Sequence, residues 1–139
     1  SGLSNTQNVR IIREFRDVFV ANDEYKELRV KTVSLKDLKQ FPILMLDRKS
    51  TTSEFLHSMF QRHQLDLVPE IELSSNDLLI DLARIGLGVA FVPDYCIPDN
   101  ERSLFKVQIE EELPTRQIVV ASNDSLPISQ AAKQFMEML

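Results

Sequence analysis

The stretch Leu73–Pro93 has the clearest pattern of apolar and polar positions in the chain. A serine hydroxyl accepts a backbone amide of the first helical turn, so Ser74 or Ser75 can begin a helix here. Apolar residues then repeat every three or four positions, which predicts one buried stripe along that helix. The stripe consists of Leu78, Leu82 and Ile85, widened by Leu79 and Ala83.

Two glycines follow this helix and lead into a strand. Gly86 stands where helices commonly end in a left-handed residue, a conformation that glycine adopts without steric cost. Gly88 lets the chain turn tightly into Val89–Val92, a short and wholly apolar segment that Pro93 closes. The pattern therefore predicts a capped helix, a two-glycine turn and a buried strand.

Other apolar runs predict the remaining strands of a sheet. The segments 18–21, 41–46 and 117–121 are nearly continuous apolar runs, typical of strands that are covered on both faces. The segments 69–73 and 104–109 alternate between apolar and polar residues, which indicates one solvent-facing side. We expect the strand at 69–73 to lie near an edge of the sheet, and the residues at 25–33 and 110–112 to be solvated connections.

Polar residues also predict where three further helices begin. Ser34 caps a short helix with Asp37 at its third position, Ser50 begins a longer one, and Pro127 and Ser129 mark the last. The predicted buried stripes are Phe55, Leu56, Met59 and Phe60 in the Ser50 helix, and Ile128, Ala131, Ala132, Phe135 and Met138 or Leu139 in the last. Strands that alternate with helices at this spacing predict an α/β fold with an open, mostly parallel sheet and helices on both faces.

Composition narrows the possible classes of function. The chain has 139 residues, 43% of them apolar, which suits one globular domain with a real core. Its net charge of −5, without any basic run, argues against a nucleic-acid-binding surface. The apolar runs are far shorter than the roughly 20 residues that span a bilayer, and no signal peptide opens the chain. Because Cys96 is the single cysteine, we expect a cytoplasmic domain without an internal disulfide.

The sequence predicts no enzyme, no metal site and no cofactor. His57 and His63 lie six residues apart on one predicted helix, at roughly opposite angles, so they cannot share a metal ion. No Gly-x-Ser-x-Gly elbow is present for a nucleophilic serine. We expect both histidines to lie on the surface and Cys96 to be an inert thiol in a loop.

The best candidate for a ligand site is the start of the Ser50 helix. In open α/β sheets, ligands bind beyond the carboxyl ends of the strands, and the 42–46 strand leads directly into this turn. Backbone amides, the positive end of the helix and three hydroxyls can together hold an anion. The alternative is that Ser50 only caps the helix while the threonines face water. The candidate residues are Lys49, Ser50, Thr51 and Thr52, with Arg48 as a further source of charge.

The segments taken in order resemble the effector-binding domain of LysR-type transcriptional regulators. The resemblance is carried first by Gly86–Ala90 and Phe91–Pro93, which follow a helix headed by Ser75. Further segments match the family in the same order and with similar gaps. These are Asp17–Ala21, Val33–Leu38, Pro42–Leu46, Glu70–Ser75, Arg116–Ala121 and Ser129–Phe135.

The resemblance implies a lobe similar to those of type II periplasmic binding proteins, together with crossover strands and a C-terminal helix. Residues 9–139 would form an effector-binding regulatory domain, or a fragment of one, after a polar start at 1–8 that is frayed or derived from a tag. The implied effector is a small molecule, with an anion favoured, held by the turn at Ser50. The resemblance also places Phe91 and Pro93 on the wall of the cleft, whereas ordinary core packing is the alternative for Phe91 and Val92.

The implied function is the sensing of an effector by a transcription factor. We expect DNA to be bound only through an N-terminal helix-turn-helix that this chain lacks, and the chain itself to form a homodimer. The candidate contacts are the apolar face of the C-terminal helix together with the crossover strands at Val18 and Val119, or the Ser50 helix with the edge strand at Glu70. A lobe of a solute-binding protein has the same architecture, but no secretion signal is visible. A receiver domain is less compatible, since Asp47 follows Asp23 too closely for its acidic pair.

Overall fold

The computed structural model describes the backbone of residues 8–123 and the side chains of residues 12–119. The described residues fall into two compact units. The larger unit is residues 16–114, and the smaller unit includes residues 8–15 and 115–123. The predicted last helix, from Pro127 onward, and most of the polar start lie outside the described residues.

The elements alternate between strands and helices. In the larger unit the strand order is β3-β2-β4-β1-β5; β2 runs parallel to β3 and β4, and β1 runs antiparallel to β4 and β5. In the smaller unit β6 pairs with β1. In chain order the elements are β1 (Asn8–Ala21), a 3₁₀ helix (Asp23–Leu28), α1 (Leu35–Leu38), β2 (Ile43–Leu46), α2 (Thr51–Arg62), β3 (Ile71–Leu73), α3 (Asn76–Arg84), β4 (Val89–Pro93), a second 3₁₀ helix (Asp94–Cys96), β5 (Phe105–Lys106) and β6 (Thr115–Asn123).

The sheet of the larger unit is covered on both faces, because side chains of its strands alternate between two cores. The front core joins α1 and α2 to one face and includes Phe19, Met45, Phe91, Leu56 and Phe60. The rear core joins α3 to the other face and includes Val20, Leu44, Ala90, Leu79 and Ala83. This arrangement confirms the predicted α/β fold with an open sheet and helices on both faces. The sheet is mixed, whereas the sequence predicted a mostly parallel one, because β1 runs antiparallel to both β4 and β5.

Local hydrogen bonds explain where the helices begin. The Ser34 side chain accepts from the amide of Asp37 at 3.1 Å, and the Asp37 carboxylate accepts from the amide of Ser34 at 3.3 Å, so the predicted capping box is confirmed. Ser50 caps α2 by accepting from the amide of Ser53 at 2.9 Å. Of the two serines offered for α3, Ser75 is the cap.

The predicted buried stripe of α3 is right for Leu79 and Ala83 but wrong for Leu78 and Ile85. Leu78 and Ile85 are 45% and 69% exposed, whereas the buried residues of this helix are Leu79, Ile80 and Ala83. Apolar residues fill most positions from 78 to 85, so two overlapping stripes both have helical spacing. Only the position of the helix on the sheet decides which of them is buried.

The two glycines after α3 have different roles. Gly86 has a φ of +82°, which confirms the predicted left-handed helix end. The sequence predicted that Gly88 serves a tight turn, but its role is a different one. A Cβ on Gly88 would lie 2.6 Å from the carbonyl oxygen of Pro42 and 2.9 Å from the side chain of Leu44. Glycine is needed at this position because the chain entering β4 passes very close to β2.

Two segments that the sequence predicted as solvated connections are fixed to the fold. In the first, Leu28 and Val33 are buried, at 0% and 1% exposure. In the second, both carboxylate oxygens of Glu111 accept from the amide of Leu35, at 3.0 and 3.2 Å. Glu111 therefore stabilises the first turn of α1, where a negative charge is favourable.

An ion pair fastens the end of α3 to the loop before β5. Arg84 donates to Oε1 of Glu101 from Nε at 3.0 Å and from a terminal nitrogen at 2.6 Å, and the Glu101 side chain is only 9% exposed. The hydrogen bonds from Arg84 are the largest influence lowering the pKa of Glu101. A lowered carboxylate pKa adds stability above the pKa of the unfolded chain, and this stability is lost as the pH falls through the folded pKa.

We therefore expect Glu101→Gln to lower the free energy of unfolding by about 1–2 kcal/mol at pH 7, and by less in acid. Urea denaturation of both proteins at pH 7 and at pH values below about 4 measures this difference. Asp81→Asn is the matched control, since Asp81 contacts the same arginine at 2.7 Å but its side chain is 61% exposed. Asp81→Asn should lower the free energy of unfolding by less than about 1 kcal/mol. If Glu101→Gln lowers the free energy of unfolding by the same amount at both pH values, this account of the ion pair is wrong.

Candidate functional site

The candidate site lies where the parallel strands of the larger unit end and α2 begins. Residues 47–50 form a tight turn between β2 and α2, in which Oδ1 of Asp47 accepts from the amide of Lys49 at 3.1 Å. The amide of Asp47 donates to the carbonyl of Leu73 at 2.8 Å, and the amide of Ser50 donates to the carbonyl of Asp47 at 3.1 Å. These bonds fix the first turn of α2 at the carboxyl edge of the sheet.

The turn brings three of the four predicted polar residues to accessible positions. Lys49 and Thr51 are exposed, and Ser50 is partly exposed. The hydroxyl of Ser50 accepts the capping bond and still has a proton to donate. Thr52, which the sequence predicted as a fourth ligand-binding residue, is only 6% exposed, so it also does not face water as the capping alternative required. We call Lys49, Ser50 and Thr51 the anion seat.

The two predicted residues on β4 lie inside the protein. Phe91 has no exposed surface, and its ring centroid is 4.7 Å from that of Phe19 and 6.4 Å from that of Phe55. Pro93 is also buried and lies opposite Asp17 on β1. The surroundings of Phe91 are thus those of a core residue, and of these three neighbouring rings only that of Phe55 reaches the surface.

A cavity of about 160 Å³, which we call the Ser53 cavity, opens beside the first two turns of α2. Ser53 is completely buried, and neither its Oγ nor the enclosed Nε2 of His57 has a hydrogen-bond partner among the described residues. His57 is half-buried with its Nε2 enclosed, so it lies at the surface only in part, whereas His63 is exposed as predicted. The cavity is lined by Arg48, Ser53, Glu54, His57 and Ser58.

The electrostatics of this cavity are set by one ring and two charges. Burial lowers the pKa of His57, the charge of Arg48 lowers it further, and Glu72 acts in the opposite direction with a smaller effect. The imidazole is therefore neutral at pH 7 and carries one donor and one acceptor nitrogen. The sequence contained a signal for this pair, since Ser53 and His57 are four residues apart and share one helix face.

Cys96 lies in the second 3₁₀ helix and packs against the rear core. Burial, followed by the charges of Asp77, Asp17 and Asp94, raises the pKa of its thiol to about 11. The thiol therefore stays protonated and poorly nucleophilic at neutral pH. In the described part of the chain, no three His, Cys, Asp or Glu side chains are placed to hold a metal ion.

This fold and site define a ligand-binding lobe, in which a capped helix begins at the carboxyl edge of a mixed open sheet. A family model described as the LysR substrate binding domain matches residues 5–139. The chain belongs to this family. Across residues 8–123, no helix is both long enough and apolar enough to cross a membrane.

Similar proteins include transcription factors and isolated regulatory domains. The chain is 27% identical over 90 residues to the HTH-type transcriptional activator CmpR of Synechocystis sp. (strain ATCC 27184 / PCC 6803 / Kazusa), an alignment that covers 65% of this chain and 30% of CmpR. Its fold is similar to that of the CcmR regulatory domain of Synechocystis PCC6803 in complex with 2-PG, with a TM-score of 0.70, 18% identity, and coverage of 92% of this chain and 64% of that one. It is also similar to the effector binding domain of QuiR in complex with shikimate, with a TM-score of 0.66, 15% identity, and coverage of 96% and 64%. This chain thus spans less than two thirds of each of these proteins.

Proposed function

We propose that this chain is the effector-sensing part of a LysR-type transcriptional regulator and that its anion seat holds a small anionic effector. The observation that carries the proposal is the first turn of α2, fixed at the carboxyl edge of the sheet, with Lys49 and Thr51 exposed beside it. A helix N-terminus has a partial positive charge, and its amides and hydroxyls are suited to carboxylate or phosphate oxygens.

Two further observations support a small anion over a larger apolar ligand. Phe91 is in the core, as is Phe19. Of these neighbouring rings only that of Phe55 is partly exposed, so little aromatic surface is available to a ligand there. The effector binding domain of QuiR, which has the same fold, was solved with shikimate, a carboxylic acid. We infer that a carboxylate group of the effector accepts hydrogen bonds at the anion seat.

The proposed mechanism is a shift between conformations and requires no catalysis by this chain. An effector that binds one arrangement of the full-length regulator more tightly than another increases the population of that arrangement. The binding energy at the anion seat is then coupled to DNA binding by a separate helix-turn-helix domain of the same regulator. The regulator acts as a homodimer in the cytoplasm. If the effector changes the affinity of the regulator for DNA by some factor, DNA must change its affinity for the effector by the same factor.

We expect Thr51→Val to weaken effector binding by about 1–3 kcal/mol, the free energy of a hydrogen bond to a charged group. The helix cap should be retained, because Ser50 and not Thr51 provides it. Calorimetric titration with shikimate and a panel of other small carboxylates measures the affinity, and urea denaturation measures stability. Thr32→Val, at an exposed threonine of the loop before α1, is the matched control and should bind as the parent does.

Two results would count against this proposal. If no carboxylate in the panel binds, the effector is not a small carboxylic acid. If a carboxylate binds and Thr51→Val keeps the parent affinity, the anion seat is elsewhere in the protein.

A further inference from the structure

The Ser53 cavity has an unusual combination of burial and unused hydrogen-bonding capacity. A buried hydroxyl without a partner is destabilising, by a free energy comparable to that of the lost hydrogen bond. Among the described residues, the Oγ of Ser53 and the Nε2 of His57 both lack a partner, and both residues line the same cavity. Native proteins pair nearly all such groups, so two orphans in one cavity indicate that something else occupies it.

The charges around the cavity favour a negative group. Arg48 lines it directly, and its charge outweighs that of Glu72 at the His57 ring, because the shift from Arg48 is the larger of the two. The cavity also adjoins the first turn of α2, where the helix dipole is positive. Glu54 also lines the cavity and is exposed, so the lining has one acidic and one basic side chain, but Glu54 is not among the groups that shift the pKa of His57.

The size of the cavity limits what it can hold. Its volume of about 160 Å³ is well below the roughly 300–1,000 Å³ of pockets that enclose whole drug-sized ligands. A single oxyanion fits this volume, whereas a whole drug-sized ligand does not.

We propose that the Ser53 cavity is a second anion subsite, which binds one oxyanion such as inorganic phosphate, sulfate or a carboxylate. The Oγ of Ser53 donates one hydrogen bond, the Nε2 of His57 donates another in the tautomer that has its proton there, and the guanidinium of Arg48 supplies the charge. The subsite uses no residue of the anion seat, so it can be present even if the proposed effector function is wrong.

The two histidines of the chain allow a direct test by proton NMR. Only His57 lines the cavity, and His63 is exposed at the end of α2, so it is an internal control. The protein is titrated with sodium phosphate, and separately with sodium acetate, at pH 7.5 and constant ionic strength maintained with chloride. We expect the ring signals of His57 to shift along a saturable curve with phosphate, while those of His63 move little. Saturation by acetate as well would show that planar oxyanions also fit.

Four variants separate specific binding from general charge effects. Ser53→Ala and Arg48→Gln should each raise the dissociation constant for phosphate about tenfold or more, since each removes one charge-assisted contact. Ser74→Ala and Arg62→Gln are the matched controls, at an exposed serine and an exposed arginine, and should stay within about twofold of the parent. Without phosphate, Ser53→Ala should melt at the same temperature as the parent or higher, because it removes a buried group that lacks a partner.

Three results would overturn the proposal. The first is a parallel, linear shift of both histidines with phosphate and with acetate, which is the effect of bulk ions. The second is unchanged phosphate affinity in Ser53→Ala. The third is a lower melting temperature of Ser53→Ala in the absence of phosphate, which would mean that the hydroxyl already has a structural partner.

Discussion

Phe91→Ala should reduce the free energy of unfolding by about 3–5 kcal/mol, the range for removing a buried aromatic ring. Phe91 is fully buried between Phe19 and Phe55, with centroid distances of 4.7 and 6.4 Å, so its loss leaves a cavity in the centre of the front core. An alanine there also loses the favourable contacts between the rings. A loss of this size is a large part of the stability of a domain of this length.

Urea denaturation of Phe91→Ala and of Phe55→Ala measures the effect and supplies its control. Phe55 belongs to the same stack but is partly exposed, so its replacement should have the smaller effect on stability. The same experiment distinguishes the two interpretations of Phe91 that the sequence left open. If Phe91→Ala keeps the stability of the parent but loses effector affinity, the ring is a wall of the ligand site and not a core residue.

Gly88→Ala is the second substitution for which we expect a large effect. It should lower the free energy of unfolding by about 3 kcal/mol. The new Cβ would lie 2.6 Å from the carbonyl oxygen of Pro42, and backbone atoms cannot turn away as a flexible side chain can. β4 would have to move away from β2, which disturbs the front and rear cores together, because both strands contribute to both.

Gly86→Ala is the natural comparison for Gly88→Ala. Gly86 has a φ of +82°, so alanine there is strained by about 1–2 kcal/mol. Its new Cβ would lie 3.2 Å from side-chain atoms of Asn22 and Glu24, so these neighbours need to move by only a few tenths of an ångström. Thermal and urea denaturation of both variants should therefore rank Gly88→Ala as the less stable. The opposite ranking would mean that β2 and β4 can separate more easily than their packing indicates.

The sequence predicted those features that depend on a few neighbouring residues. Ser34 and Ser50 were identified as caps because the hydroxyl and the amide that it satisfies are three residues apart. Gly86 was identified because a left-handed helix end is a local conformation. The turn before α2 followed from its position between an apolar strand and a capping serine.

Features that depend on distant parts of the chain were missed or assigned wrongly. The carboxylate of Glu111 bonds to the amide of Leu35 across 76 positions, and no local pattern indicates that contact. The role of Gly88 depends on the path of Pro42, and the buried face of α3 depends on where the sheet lies. At the candidate site, the burial of Thr52 and the pairing of Ser53 with His57 in one cavity have the same origin, since α2 must first pack on the front core.

The contacts made by Asn22 and Tyr25 have a consequence for local unfolding. Asn22 donates to the carbonyl of Arg84 at 3.0 Å and Tyr25 donates to the carbonyl of Gly86 at 3.2 Å, across 62 and 61 positions. The carbonyl of Arg84 at the end of α3 and that of Gly86 just after it therefore have partners in the segment after β1, and that segment is held by them in return. The two stretches form one cooperative unit, so their amides should exchange with solvent deuterium together, with a common opening free energy.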